Sequence, residues 1–199
     1  MAVGKEKELL VRVASGDVAR ARNLIAEGVS VHAKSEKGMT ALHIAASYGL
    51  LAMTDSLLEM GAHLEAQDGL GRTPLCWAVE MGHSTVVGRL IQAGADVNTR
   101  GPNGWAPLHY GAALARKDEL ELLIKAGAEL NRRDENSRTP LHVAAMYGHI
   151  PIVQCLTNAG ANVELVDNDK RSAAKIAKNQ GHCQVWRELS RCEARGRDC

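Results

Sequence analysis

Three histidines, His43, His109 and His142, fall on one 33-residue ladder, and His83, His149 and His182 fall on another. Aligned imidazoles raise the question of a transition metal, for which neutral histidine is a common ligand. The spacing argues against it. If each interval is one structural unit, equivalent side chains sit roughly 8–10 Å apart, the distance between packed helices. An ion takes its nitrogens at ~2.0–2.1 Å, so no metal is expected. Cys183 follows His182 directly and is the nearest approach to an activated thiol. A reactive cysteine needs an exposed setting that stabilises thiolate; here a half-buried inert thiol is expected. Glu80 and Glu119 are single carboxylates on helical stretches, without a second acid to divide proton transfers. Gly69-Leu70-Gly71 is too short for a dinucleotide cradle, and no strand precedes it. No catalytic residue, cofactor or metal is predicted.

The elements that would position these residues recur as strictly as the histidines. Arg138-Thr139-Pro140-Leu141-His142 is echoed by Trp105-Ala106-Pro107-Leu108-His109, by Arg72-Thr73-Pro74-Leu75-Cys76 and by Met39-Thr40-Ala41-Leu42-His43. Gly16, Gly49, Gly82, Gly148 and Gly181 form one ladder, with Ala115 on the missing rung, and Gly28, Gly61, Gly94, Gly127 and Gly160 form another. Shared periodicity of this length marks a stack of supersecondary units, none of which buries its apolar face alone. Each unit reads as a turn, a helix opened by Thr and Pro, a glycine stop and a second helix ended by Gly-Ala. Val86, Val87, Leu90 and Ile91, or Ile152, Val153 and Leu156, keep helical spacing on the second helix.

The Thr-Pro-Leu-His run, the Gly-His pairs at 82–83, 148–149 and 181–182, and Gly94-Ala95-Asp96-Val97-Asn98 resemble the ankyrin repeat over about residues 4–190. The resemblance implies an all-α solenoid of helix-turn-helix units joined by β-turns. It divides a single domain, residues 1–190, into an N-terminal cap repeat at 4–34, internal repeats at 35–67, 68–100, 101–133 and 134–166, and a C-terminal cap at 167–190. In the first repeat, Glu8 to Ser15 gives one helix and Val18 to Glu27 the second, with five basic side chains between Lys5 and Arg22 as a polar coat. Trp186 and Leu189 should close the core at the other end, and residues 191–199 are expected to be a disordered tail. Repeat four departs from the pattern at Ala106, Gly111, Ala115, Arg116 and Glu119, so a softer or shifted helix pair is expected there. The resemblance also gives the motif histidine its role, tying neighbouring turns by hydrogen bonds.

By the same resemblance, recognition falls on the concave side, at turn tips and the inner face of each first helix. The turn positions here are Met39, Arg72, Trp105 and Arg138, and Tyr48, Met81, Leu114 and Tyr147 share one helix register, with Met146 beside the last. An apolar ridge with a central tryptophan is expected, since aromatic and Met side chains anchor protein interfaces, with the two arginines pairing acids at the rim. Leu90 with Asp96-Val97-Asn98, and Leu123 with Glu129-Leu130-Asn131, fit the spacing that an iron- and 2-oxoglutarate-dependent asparaginyl hydroxylase accepts in ankyrin proteins, so Asn98 and Asn131 are candidate hydroxylation sites.

Composition narrows the function further. The 199 residues carry a formal net charge of +1, with positive charge towards both ends, so neither nucleic acid nor an acidic membrane is an expected partner. There is no Phe, and Ala, Leu, Ile and Val carry the packing. No apolar run reaches membrane-spanning length, and Met1 to Glu8 lacks a signal-peptide core. The five cysteines, Cys76, Cys155, Cys183, Cys192 and Cys199, are odd in number and scattered, as free thiols in the cytoplasm or nucleus would be. The expectation is a monomeric, non-enzymatic adaptor or scaffold that binds a protein partner. The alternative is a regulatory or inhibitory subunit of an enzyme, such as a kinase inhibitor, or of a transcription complex.

Overall fold

The computed structural model describes residues 2–197, with side chains from 4 to 194. Among the described residues twelve α-helices follow one another, and the chain divides into two units, Met1–Pro102 and Asn103–Cys199, of three helix pairs each. The first unit holds α1 (Ala2–Ala14) with α2 (Val18–Ala26), α3 (Ala41–Ser47) with α4 (Leu51–Glu59), and α5 (Pro74–Met81) with α6 (Ser84–Gln92). The second holds α7 (Pro107–Ala113) with α8 (Lys117–Lys125), α9 (Pro140–Tyr147) with α10 (Ile150–Asn158), and α11 (Ala173–Asn179) with α12 (Cys183–Arg197). Within the first unit α1, α3 and α5 pack side by side, as do α2, α4 and α6; within the second, α7, α9 and α11 form one row and α8, α10 and α12 the other.

Local chemistry sets these boundaries. Thr73 is extended at φ −87°, ψ 165°, and its hydroxyl accepts the Cys76 N–H, while Pro74 occupies the first turn, where its missing N–H costs nothing. Gly82 then ends α5 in a left-handed conformation at φ 80°. Leu42, Leu75, Leu108 and Leu141, one per motif, are at most 1% exposed. Burying each contributes about 1.5–3 kcal/mol.

Two helix ends fall away from their sequence-based positions. α1 starts at Ala2, ahead of Glu8, and Lys5 on this added turn pairs with Glu27 at 2.8 Å. α12 runs through Arg197, past the boundary at 190. Leu189 is fully buried and Val185 nearly so, Cys192 continues their stripe half-buried, and Glu193 accepts a hydrogen bond from Ser172 at 3.2 Å. The helix therefore continues into the segment expected to be a tail, with Cys192 serving as an apolar residue at helical spacing from Leu189. Trp186 lies half-buried beneath the Lys178 ammonium at 5.3 Å from its ring centre.

Repeat four keeps its register. α7 and α8 start 33 residues after α5 and α6, and Ala115 takes the left-handed conformation of the glycines it replaces, at φ 55°. Glu119 is 5% exposed where other second helices bury Met53, Val86 or Ile152.

Candidate protein-binding surface

The three turns that open on aspartate are closed by hydrogen bonds before any partner is considered. The Asp68 N–H donates to the Arg72 carbonyl at 3.0 Å, and Asp134 to Arg138 and Asp167 to Arg171 repeat the bond at 2.9 and 3.0 Å. The carboxylate then turns back into its own loop. Asp68 accepts the N–H groups of Leu70 and Arg72, the Arg72 guanidinium and the Trp77 indole N–H; Asp134 accepts Asn136, Arg138 and the Trp105 indole. Burial pushes the Asp68 and Asp134 carboxyls up, yet these donors and the adjacent guanidinium outweigh it and hold both below the usual carboxylate range.

The motif histidines stitch one turn to the next. The His43 Nδ1 accepts the Thr40 N–H at 3.1 Å, which leaves the proton on Nε2 to donate to the Arg72 carbonyl at 2.9 Å. His109 and His142 repeat the arrangement, receiving from Ala106 and Thr139 and donating to the carbonyls of Arg138 and Arg171 at 3.2 Å. Burial pushes all three rings below their ordinary pKa, against the opposing pull of the carbonyl and the nearby aspartate. Cys76 occupies the corresponding place in repeat three; it is fully buried, takes the Thr73 hydroxyl at 3.4 Å, and burial pushes its thiol up.

The second histidine series reaches backwards. His83, His149 and His182 donate from Nε2 to the carbonyls of Ser47, Ala113 and Met146, each at 3.0 Å. Gly148 leaves room for this: a Cβ there would lie 2.6 Å from the His182 ring, as one on Gly49 would from His83. Cys183 is exposed at the start of α12, and its neighbour His182 is committed to Met146. Among the described residues no cluster of three or more His, Cys, Asp or Glu side chains could hold a metal ion.

On this frame stand the residues marked for recognition. In the first unit Tyr48 is 62% exposed and Met81 39%. Met39 is half-buried, and Arg72 lies over the Trp77 ring at 3.8 Å while bonding Asp68 at 3.2 Å and Glu80 at 3.1 Å. In the second unit Leu114 is 45% and Tyr147 50% exposed. Trp105 is half-buried, edge-on to Tyr110 at 5.2 Å, with its indole N–H on Asp134 at 3.2 Å. Arg138 bonds Asp134 at 2.8 Å and reaches the Met146 sulfur at 4.0 Å. Both arginines thus pair with acids of their own chain.

Three residues of this surface were missed by sequence reasoning. Leu70, read only as part of a turn, is 64% exposed at its tip. Trp77 and Tyr110 share a register one place after the motif histidine, where Trp77 supports Arg72 and Tyr110 supports Trp105. Their signal was available: two large aromatics 33 residues apart in a chain with six. Asn131, a candidate for hydroxylation, is exposed and accepts the Asn162 N–H of the next repeat at 2.8 Å; Asn98 donates its N–H to Asp96 at 2.8 Å.

Rows of first and second helices, glycine stops and turns stitched by histidine define an all-α repeat protein without strands among the described residues. Models of ankyrin repeats match residues 9–101, as three copies, and residues 108–157. The chain belongs to the ankyrin repeat family, whose members are generally protein-interaction modules. A search of curated proteins finds no match.

Proposed function

We propose that this chain is a non-enzymatic adaptor that binds a protein partner through the turn tips and the ends of the first helices in each of its two units. The observation that carries the reading is the exposure of Tyr48, Met81, Leu114 and Tyr147, 39–62%, at one repeat register. Nothing in the repeat requires a large apolar side chain there: the first and last repeats carry Ser15 and Gln180 at the same place. Exposed aromatic and Met side chains are the groups that gain most from desolvation by a partner. Trp105, Leu70 and Met39 extend the apolar character, and Met146 lies beside Tyr147. With Arg72 and Arg138 neutralised internally, charge at this face serves to shape it more than to attract. Asn98 and Asn131 remain candidate hydroxylation sites, a modification of the scaffold and not its function. The free thiols Cys76, Cys155, Cys183 and Cys192 support a reducing compartment, cytoplasm or nucleus. No described helix is long and apolar enough to cross a membrane.

The test is a comparative pull-down from cell lysate with the wild-type chain and a Tyr48→Ser/Leu114→Ser/Tyr147→Ser variant of matched thermal stability. A protein retained by the first and lost by the second supports the proposal. The same proteins on both baits would overturn it.

A further inference from the structure

The tip of repeat four differs from the other tips in a way that bears on covalent chemistry. Asn103-Gly104 is the one Asn-Gly pair in the chain. Asn103 is exposed, in a single 3-10 turn over Pro102–Gly104, and has a left-handed backbone at φ 57°, ψ 20°; the tip residues Lys37, Leu70, Asn136 and Asp169 do not share its positive φ. Asn-Gly is the pair in which the following backbone nitrogen most readily attacks the side-chain amide, because glycine puts no Cβ in the way.

From this we infer that Asn103 is a self-modification site, deamidating to aspartate and isoaspartate at a rate set by opening of its turn. The steps balance with water as the only co-reactant. The Gly104 nitrogen, giving up its proton to solvent base, bonds to the Asn103 Cγ. The Cγ–Nδ2 bond breaks, and Nδ2 leaves as ammonia after protonation. Water then opens the resulting succinimide at one of its two carbonyls. Opening at the backbone carbonyl leaves isoaspartate, and opening at Cγ leaves aspartate. Ring closure needs the Gly104 nitrogen eclipsed with the Asn103 Cβ. A ψ of 20° turns that nitrogen to the far side of the Cα–C bond, so the native turn withholds the attack until it opens.

Other candidate positions are better protected. Asp68-Gly69 has the same following residue, but the Asp68 side chain is 1% exposed and held by several donors, and the Gly69 N–H donates to the Lys37 carbonyl at 2.8 Å. Asn136 precedes Ser137, whose side chain hinders the approach. The consequence at 103 is local and structural. The Asn103 carbonyl accepts the Glu135 N–H at 3.0 Å, so the extra main-chain methylene of isoaspartate displaces that acceptor. Either product puts a carboxylate two residues from Trp105.

The experiment incubates the full chain in mildly alkaline buffer at body temperature and follows each asparagine by peptide mapping, with isoaspartate resolved from aspartate. Wild type is compared with itself in urea and with Asn103→Gly, which keeps the positive φ and cannot form the imide. The expected result is that Asn103 converts first, several-fold ahead of Asn136, that urea accelerates it, and that total ammonia release falls in Asn103→Gly. Conversion of another asparagine ahead of Asn103 in the folded chain would overturn the assignment, and an unchanged rate in urea would overturn the gating by the turn.

Discussion

At the scale of single residues, the positions that break the repeat are as informative as those that keep it. Ala115 stands on a glycine ladder yet holds φ 55°, a conformation in which a Cβ is strained. Ala115→Gly should therefore stabilise the chain by about 1 kcal/mol, read as a higher urea midpoint at unchanged slope; a lower midpoint would show that the methyl's packing outweighs its strain. The buried histidines predict a pH dependence. Their folded pKa values lie below the unfolded value of about 6.5, so the unfolded chain binds protons first as pH falls. Stability is full above that value and is lost as pH drops from there through the depressed folded values. His142→Gln should lower stability at neutral pH, since the bond to the Arg171 carbonyl changes hands, while reducing the loss on acidification. Parallel urea titrations across this range would show the change of slope; equal slopes would mean that His142 does not contribute.

At the scale of elements, the junction between a helix stop and the next helix pair is closely packed. Gly148 ends α9 at φ 76°, and a Cβ there would meet the His182 ring at 2.6 Å. Gly148→Ala combines backbone strain with displacement of a ring bonded to the Met146 carbonyl. A loss exceeding about 1 kcal/mol is expected, with raised hydrogen exchange in α11 and α12; a loss confined to α9 would mean that the His182 tie is not what couples them. Element existence was legible in the sequence because Thr-Pro starts, Gly stops and 3.6-residue apolar spacing all agree. The far end of α12 was less so, because Cys192 and Glu193 carry no strong signal until Leu189 and Ser172 are seen beside them.

At the scale of the whole molecule, each unit has three helix pairs, the number at which stacked repeats begin to bury a continuous core. Residues 1–102 and 103–199, produced separately, are each expected to show helical circular dichroism and a cooperative urea transition. A featureless transition in either would show that its repeats need the rest of the array.

By itself the sequence determined the repeat, the helix pairs, the family and the register of Tyr48, Met81, Leu114 and Tyr147, because all of these follow from local propensity and a fixed period. Only the tertiary structure decided which polar groups are already engaged. Arg72, Arg138 and Trp105 look free in a list of turn residues, but the aspartates that hold them sit in the same turn or one repeat on, brought into reach by folding. Exposure of Leu70 is of the same kind: a turn residue's accessibility depends on what packs above its tip, and neighbours across the stack are invisible to a reading along the chain.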